Sequence, residues 1–198
     1  MNLPNKLTVS RLLLTTVLVV VMMSRSAIND TLALVVFVVA SLTDLIDGRI
    51  ARSRKLITNF GILMDPLADK VLTCAAFIAL VERGQMYPNT EVKVAAWMAI
   101  VIVTRELAIT GLRLLAASQN VVLAAERYGK HKTISQMTAI ISLLVLDAYG
   151  AWPSFLQMVF RPWAAWFTWL ALWLAVLLTV TSGVVYLWRN RALYLKDC

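Results

Sequence analysis

The sequence predicts an all-α integral membrane protein with six transmembrane helices and a short interfacial N-terminal segment. The chain has 198 residues, of which 60% are hydrophobic, and its mean hydropathy is +0.75. Soluble domains are about 45–50% apolar, so this composition is typical of a membrane protein. The two cysteines do not indicate a disulfide framework, because Cys74 lies in an apolar run and Cys198 is the last residue. We expect residues 1–198 to form a single membrane domain.

Each predicted helix is an apolar run bounded by polar, glycine or proline residues. A membrane-spanning helix needs about 20 mostly apolar residues. The first run follows Lys6 and Arg11 without a small-residue cleavage site, so we expect a retained helix rather than a cleaved signal peptide. Residues 82–91 are expected to form a turn, 118–132 a polar loop and 147–162 a loop or interfacial segment. The predicted helices cover residues 7–23, 31–51, 62–81, 93–117, 133–146 and 163–188.

The basic residues predict the orientation in the membrane. Six spans place both termini on the same side, and all but four of the 19 Lys and Arg fall on that side or in the helix halves nearest to it. The positive-inside rule makes this side cytoplasmic. We expect a bacterial cytoplasmic membrane, and the net charge of +8 then indicates contact with lipid headgroups rather than nucleic acid. The four exceptions are Arg25, Arg83, Lys93 and Arg161.

Four aspartates interrupt the apolar pattern at the end of the second predicted helix and the start of the third. The apolar runs 31–42 and 71–81 are too short to span a membrane alone, so each helix must extend across two aspartates. The pairs are spaced i, i+3 and i, i+4, and either spacing puts both carboxylates on one helix face. A short linker joins the two helices, so we expect antiparallel neighbours with all four carboxylates at similar depth. The aspartates are Asp44, Asp47, Asp65 and Asp69.

Four converging carboxylates indicate a site for divalent metal ions. Carboxylates that face one another repel strongly unless cations neutralise them. Hard oxygen ligands suit Mg²⁺ or Mn²⁺, and two such ions can clamp a phosphoryl group during its transfer. Gly48 and Gly61 either let a phosphate approach closely or serve helix packing, and Arg52 is placed to reach a phosphate. In the alternative, the carboxylates pair at a hydrated helix end with Arg49, Arg52, Arg54 or Lys70.

The same residues form a longer motif, Asp44-x2-Asp47-Gly48-x2-Ala51-Arg52-x8-Gly61-x3-Asp65-x3-Asp69. It resembles, without gap or substitution, the signature of the CDP-alcohol phosphotransferase family. The resemblance implies a six-helix membrane enzyme, commonly homodimeric, whose four aspartates bind two divalent cations. It implies that Asp69 also acts as general base. It further implies that a CDP-lipid contacts Gly48, Ala51, Arg52, Thr58 and Gly61, with Asn5 and Thr8 from the N-terminal segment. For the last two residues, helix capping is the alternative.

Further segments resemble the branch of this family that makes phosphatidylglycerophosphate. The likeness covers roughly residues 2–137, and the chain after it is typical of generic membrane helix. It implies transfer of the phosphatidyl group from CDP-diacylglycerol to sn-glycerol 3-phosphate, with CMP as the second product. The segments are residues 3–11 (LPNKLTVSR), 65–70 (DPLADK), 105–106 (RE), 111–113 (GLR) and 129–133 (GKHKT).

Four basic residues indicate that the acceptor carries a phosphate. Arg and Lys form charge-assisted contacts with a phosphate dianion, which a neutral alcohol would not need. In the alternative, these residues only set the membrane orientation, Glu106 is placed to hold the arginine seven residues later, and His131 is solvated. Two other functions stay open: the same transfer to another acceptor such as inositol phosphate, or divalent-cation transport. The four residues are Arg105, Arg113, Lys130 and Lys132.

Overall fold

A computed structural model describes residues 3–24, 26–54, 59–86, 91–118 and 127–191. Side chains are described for residues 9–24, 26–43, 70–86, 91–117 and 131–191. Within these ranges the chain is helical with turns and contains no strand, which confirms the all-α prediction.

Six long helices follow one another in the predicted order. A 3₁₀ turn (Tyr149–Ala151) and a short helix stand before the last of them, in the segment that was expected to be a loop or interfacial. The seven α-helices are α1 (Leu3–Met22), α2 (Ala27–Arg54), α3 (Asn59–Met86), α4 (Ala96–Ser118), α5 (Arg127–Ala148), α6 (Ser154–Phe160) and α7 (Ala164–Arg189).

Helices α1, α2, α3 and α5 extend two or more residues beyond their predicted bounds. Helix α1 already includes residues 3–6, where a separate interfacial lead-in was expected. Pro4 falls in its first turn, where the missing N–H costs no intrahelical hydrogen bond. Helix α3 continues through residues 82–86, where a turn was expected. Its extension contains Arg83, whose buried ion pairs fix this part of the helix against its neighbours.

The prediction that residues 118–132 form a loop is wrong over its last six residues. Helix α5 begins at Arg127, so the GKHK segment is helical. Lys132 is only 2% exposed and its ammonium group contacts the carboxylate of Glu106 in α4. This contact with a distant part of the chain gives a physical reason for the earlier helix start, because a buried lysine needs a fixed partner.

Helix α5 lies at the centre of the bundle. It packs against α2, α3 and α7, while α1 packs against α2 and α3, and α4 packs against α3 and α7. The core between these helices is filled by fully buried apolar side chains, among them Leu18, Phe37, Phe77, Ile140 and Leu172. This arrangement puts one face of α4 and one face of α7 beside the first turns of α5.

A buried ion cluster joins four helices at the end of the bundle that lies opposite the aspartate-bearing ends of α2 and α3. Arg83 contacts Asp30 in α2, and its Nε lies 3.2 Å from Oδ2 of Asp147 in α5. Its Nη1 donates to the backbone oxygen of Met22 in α1 at 3.3 Å. The three charged side chains are at most 8% exposed. A buried charge without its partner is costly, so this cluster fixes the positions of the four helices relative to one another.

Among the described residues, two helical segments are long and apolar enough to cross a membrane, His131–Ala151 and Ala164–Arg189. Shorter apolar helical stretches are Val9–Met22 and Ala27–Thr43. The count of six spans therefore stays a prediction. Every long helix nevertheless exposes large apolar side chains, for example Leu13, Val35, Ile78, Ile100, Ile134 and Leu177.

Candidate active site

The four aspartates lie at matching distances along two helices. Asp44 and Asp47 stand ten and seven residues before the end of α2, and Asp65 and Asp69 stand six and ten residues after the start of α3. At 1.5 Å per residue, Asp47 and Asp65 lie about 9–11 Å along their helices from the linker, and Asp44 and Asp69 lie about 15 Å from it. The side chains of all four lie outside the described residues, so their convergence stays a prediction.

The positions expected to contact a CDP-lipid fall on three helices. Asn5 and Thr8 lie in α1, Gly48, Ala51 and Arg52 lie in α2, and Gly61 lies in the first turn of α3. Thr58 and the side chains of the other six lie outside the described part of the chain. Gly48 and Arg52 are four residues apart in a continuous helix, so both occupy one helix face. They share that face with Asp44, which is four residues before Gly48.

A buried carboxylate organises the basic residues of α4 and α5. Glu106 Oε1 contacts the ammonium group of Lys132 and lies 3.4 Å from Arg105 Nη1. It also accepts a hydrogen bond from Gln136 Nε2 at 3.4 Å. Glu106 therefore pairs with these residues and not with Arg113, the partner suggested by the seven-residue spacing.

Arg113 instead contacts α7. Its Nε donates to the hydroxyl of Tyr186 at 3.3 Å, and its guanidinium carbon lies 5.4 Å from the centre of the tyrosine ring. Tyr186 is only 2% exposed, whereas Arg113 is exposed, so a fixed aromatic ring supports a cation that remains accessible. The backbone of Lys130 lies in the first turn of α5, and its side chain lies outside the described residues. His131 is exposed, as expected.

Sequence reasoning missed the contribution of Gln136 and of α7. Gln136 Nε2 also donates to Thr179 Oγ1 at 2.9 Å, and Arg105 Nη2 donates to Ser182 Oγ at 3.3 Å. The available signal was a set of polar residues spaced by three and four in an otherwise apolar helix. The sequence predicts only a generic membrane helix there, because periodicity alone does not distinguish a polar contact face from ordinary helix packing.

The described cluster carries an excess of positive charge. Arg105, Arg113 and Lys132 contribute three cations and Glu106 one carboxylate, so these four side chains have a net charge of +2. Arg105 Nε is buried and has no hydrogen-bond acceptor among the described residues. Cations held close together favour binding of an anion, and arginine suits a phosphate because its guanidinium donates in a planar fork.

The cluster lies close to the aspartate-bearing part of α3. Lys70, the residue after Asp69, interacts electrostatically with both Glu106 and Lys132. Cys74, one turn further along α3, interacts electrostatically with the same two residues. The structure therefore brings Glu106 and Lys132 close to the residues of α3 that follow Asp69.

A large cavity in the described part of the chain lies elsewhere. It has a volume of about 670 Å³ and lies between α1, α3 and α4, with Val19, Met86 and Ile100 in its lining. Arg83 is the only cation among its lining residues, and that side chain is already paired with two aspartates. This mainly apolar space is unsuited to a phosphate. The candidate acceptor site is therefore the group of Arg105, Glu106, Arg113 and Lys132, which we call the α4–α5 cluster.

The four motif aspartates of α2 and α3 are the candidates for a metal site. Within the described side chains, no group of three or more His, Cys, Asp or Glu is placed to hold a metal ion. The side chains of the four aspartates lie outside the described residues. Their backbone positions fit two oxygen-ligand pairs, one on each helix, which is the donor chemistry that Mg²⁺ and Mn²⁺ prefer.

A family model and several known proteins that resemble this chain indicate the same family. Residues 1–181 match the family model described as CDP-alcohol phosphatidyltransferase. The CDP-diacylglycerol–glycerol-3-phosphate 3-phosphatidyltransferase of Bacillus subtilis is 39% identical over 201 residues, which cover 96% of this chain and 95% of that protein. The protein of the same name from Rickettsia typhi is 33% identical over 185 residues, covering 93% and 94%. The probable phosphatidylglycerophosphate synthase of Mycobacterium tuberculosis is 34% identical over 191 residues, covering 95% and 81%.

These matches extend well beyond the aspartate motif. The family model includes α1 to α5 completely and more than half of α7. The family prediction made from the motif is confirmed, and with it the prediction that the protein is a transferase enzyme. The chain belongs to the CDP-alcohol phosphatidyltransferase family.

Proposed function

We propose that this enzyme transfers the phosphatidyl group of CDP-diacylglycerol to sn-glycerol 3-phosphate, giving phosphatidylglycerophosphate and CMP. The names of the Bacillus and Rickettsia relatives specify this donor and this acceptor. The observation that carries the proposal is a cluster with a net charge of +2, in which Glu106 holds Arg105 and Lys132 and Tyr186 holds Arg113. Lys70 in α3 interacts electrostatically with Glu106. A site that binds a phosphorylated acceptor needs such an excess of positive charge beside the reacting groups.

Two divalent cations, Mg²⁺ or Mn²⁺, are proposed to be held by Asp44, Asp47, Asp65 and Asp69. The support is the matched placement of the two pairs along α2 and α3 and the oxygen-only donor set. When bound, such ions neutralise the diphosphate and stabilise the charge that develops on the departing CMP.

The chain's own residues are proposed to bind the donor and move one proton. Asp69 takes the proton of the attacking glycerol hydroxyl, whose oxygen bonds to the phosphorus that carries the diacylglycerol. The phosphoanhydride bond to CMP breaks at the same phosphorus. The CDP-lipid is proposed to be positioned by Asn5, Thr8, Gly48, Ala51, Arg52, Thr58 and Gly61. Thr58 lies outside the described residues; the other six lie in α1 and at the adjoining ends of α2 and α3, which is compatible with one binding surface.

The acceptor phosphate is proposed to bind Arg105, Arg113, Lys130 and Lys132. Arg113 is accessible, and Arg105 has a buried Nε that lacks an acceptor among the described residues. Lys132 is proposed to contribute its charge without a direct contact, because its ammonium group is buried against Glu106. The cations would then already be in place before the acceptor's phosphate binds, so binding requires little reorganisation of the protein.

We propose that the protein spans the bacterial cytoplasmic membrane six times as a single domain, with the active site facing the cytoplasm, and that it forms a homodimer. The large apolar side chains exposed on all six long helices support burial in lipid, because soluble monomers rarely expose extensive apolar surface. The excess of Lys and Arg on the aspartate side supports the orientation.

Release of CMP by the purified protein tests the proposed function. The protein in lipid nanodiscs is supplied with CDP-diacylglycerol and Mg²⁺, either alone, with sn-glycerol 3-phosphate or with inositol phosphate. We expect release only with sn-glycerol 3-phosphate. Release only with inositol phosphate would replace the acceptor and keep the phosphatidyl transfer. No release with any alcohol, from folded protein with metal present, would contradict the proposal and favour the cation-transporter alternative, which ion flux into proteoliposomes would test.

A further inference from the structure

Four buried residues on one face of α7, which we call the α7 stripe, contact or closely approach the α4–α5 cluster. They are spaced by three and four residues, so they follow one helix face. Neither the aspartate motif nor the resembling segments include them, and all but the first lie after residue 181, where the family match ends. The α7 stripe consists of Thr179, Ser182, Gly183 and Tyr186.

The two hydroxyls of the stripe are oriented by their own helix. Ser182 Oγ donates to the backbone oxygen of Thr179 at 3.2 Å and accepts from Arg105 Nη2 at 3.3 Å. Thr179 Oγ1 donates to the backbone oxygen of Ala175 at 2.6 Å and accepts from Gln136 Nε2 at 2.9 Å. A hydroxyl has one proton, so donating it within α7 leaves its lone pairs for donors on α4 and α5. Both hydroxyls are therefore fixed acceptors. Ser182 holds Arg105, and Thr179 holds Gln136, which also donates to Glu106.

The glycine of the stripe leaves space for Arg105. A Cβ atom at Gly183 would lie 2.9 Å from Cγ and 3.7 Å from Nε of Arg105. The first distance is shorter than real Cβ contacts, so any side chain at this position must displace the arginine stem or separate the two helices. Arg105 lies across α7 in its present position because residue 183 has no side chain.

Tyr186 fixes Arg113 in two ways, through its hydroxyl and through its ring face. Arg105 and Arg113 interact electrostatically as like charges, so they repel and need fixed partners to stay close together. A long cation that is already held loses less side-chain freedom when it binds a ligand. The N–H groups that these bonds leave over on the terminal nitrogens of the two guanidinium groups can then contact phosphate oxygens without a rearrangement.

We propose that the α7 stripe positions Arg105 and Arg113 for the acceptor's phosphate, so that α7 determines the affinity for the acceptor without contacting the CDP-lipid. The inference rests on the acceptor site proposed above. Ser182, Gly183 and Tyr186 are positioning residues, since each acts through an arginine. The chemical class recognised is a small alcohol that carries a phosphate monoester.

Three substitutions test the inference: Ser182→Ala, Tyr186→Phe and Gly183→Ala. Each is measured for the KM of sn-glycerol 3-phosphate, the KM of CDP-diacylglycerol, kcat and thermal unfolding in nanodiscs. Hydrogen bonds to charged groups contribute appreciably, and here they act indirectly, so we expect roughly a three- to tenfold rise in the acceptor KM. The KM of CDP-diacylglycerol should stay within twofold of the unsubstituted protein. Direct titration of sn-glycerol 3-phosphate into the metal-loaded protein, without the donor, should show the same weakening.

Thr168→Val is the matched control. Thr168 is another buried hydroxyl on α7, but it donates to the backbone oxygen of Ser142 at 3.2 Å, three turns away from the stripe. Its loss should affect thermal stability as much as Ser182→Ala does and leave the acceptor KM unchanged. A general loosening of α7 would instead raise both KM values in all four variants, and this result would overturn the inference.

A double variant separates positioning through Arg105 from any other effect of Gly183. If the alanine at position 183 acts by displacing Arg105, Gly183→Ala should add nothing to the acceptor KM once Arg105→Ala is present. A higher acceptor KM in Arg105→Ala/Gly183→Ala than in Arg105→Ala would overturn the inference. This comparison does not need the Gly183→Ala single variant, so it holds even if that variant is unstable. If Ser182→Ala and Tyr186→Phe leave the acceptor KM unchanged, the inference is overturned and the proposed acceptor is not affected. CMP release by the unsubstituted protein that does not depend on sn-glycerol 3-phosphate would overturn the proposed acceptor and the inference together.

Discussion

Replacement of Glu106 by Gln tests whether one buried carboxylate holds the basic cluster together. Its Oε1 contacts the ammonium group of Lys132 and lies 3.4 Å from both Arg105 Nη1 and Gln136 Nε2. Glu106 is 1% exposed and Lys132 is 2% exposed, so water does not compensate either charge. Gln has nearly the same shape as Glu, so the substitution removes the charge and leaves the packing unchanged. The cluster's net charge rises from +2 to +3.

The expected loss of stability is large because a buried lysine loses its counter-charge. Breaking a buried ion pair by removing one partner costs about 3–5 kcal/mol. For a domain of this length each kcal/mol lowers Tm by about 2–4 °C, so the expected fall is about 6–20 °C. Lys132→Met alone should destabilise through the stranded carboxylate. The double variant Glu106→Gln/Lys132→Met strands neither charge, so its loss should be smaller than the sum of the two single losses by about 0.5–3 kcal/mol.

Thermal unfolding in nanodiscs measures these differences, with the fluorescence of the seven tryptophans as the signal. Glu82→Gln is the matched control, since Glu82 is an exposed carboxylate on α3. Its Tm should stay within about 2 °C of the unsubstituted protein, as for most surface substitutions. The reasoning is refuted if Glu106→Gln lowers Tm no more than the control does. It is also refuted if the double variant loses the full sum of the single losses, because the two charges would then not be coupled.

Three further predictions follow from the site and the fold. Asp69→Asn should abolish CMP release and leave Tm close to that of the unsubstituted protein, because an amide cannot take the acceptor's proton. Arg83→Met should lower stability by about 3–5 kcal/mol, since Asp30 and Asp147 lose their buried partner, and it should leave the acceptor KM unchanged. Treatment with a chelator should abolish CMP release, and added Mg²⁺ or Mn²⁺ should restore it, because the four carboxylates are proposed to act through bound metal.

Each of these predictions has a contrary outcome. Turnover retained in Asp69→Asn would remove Asp69 as general base. An Arg83→Met protein with a raised acceptor KM and unchanged Tm would mean that the far-end ion cluster communicates with the active site rather than holding the bundle together. Turnover that survives complete chelation, checked by metal analysis of the protein, would exclude the proposed metal role of the aspartates.

The order of the helices and the family could be predicted because their signals are local. The aspartate motif places its residues within 26 positions, and its spacings are regular on the helices that contain it. Helix boundaries were less predictable where a distant partner stabilises the end of a helix. The C-terminal end of α3 carries Arg83, which is paired with α2 and α5, and the first turns of α5 carry Lys132, which is paired with α4.

The partners within the candidate site were the least predictable part. Spacing along α4 suggested Arg113 as the partner of Glu106, because residues seven apart share a helix face. In the structure Lys132 from α5 occupies that role, and Arg113 turns to Tyr186, 73 residues later in the chain. A side chain on a given helix face can pair with any suitable group on the helices packed against it. A single sequence does not show which helices pack together.

The sequence by itself determined the all-helical class, the family, the aspartate pairs and the presence of cations suited to a phosphate. These features depend on composition and on spacings within one helix or one motif. Only the tertiary structure decided that α4, α5 and α7 meet at Glu106, that Gly183 makes room for Arg105, and that hydroxyls of α7 hold the cluster. The physical reason is that a buried charge must be satisfied by whichever polar group the packing of the helices brings within reach.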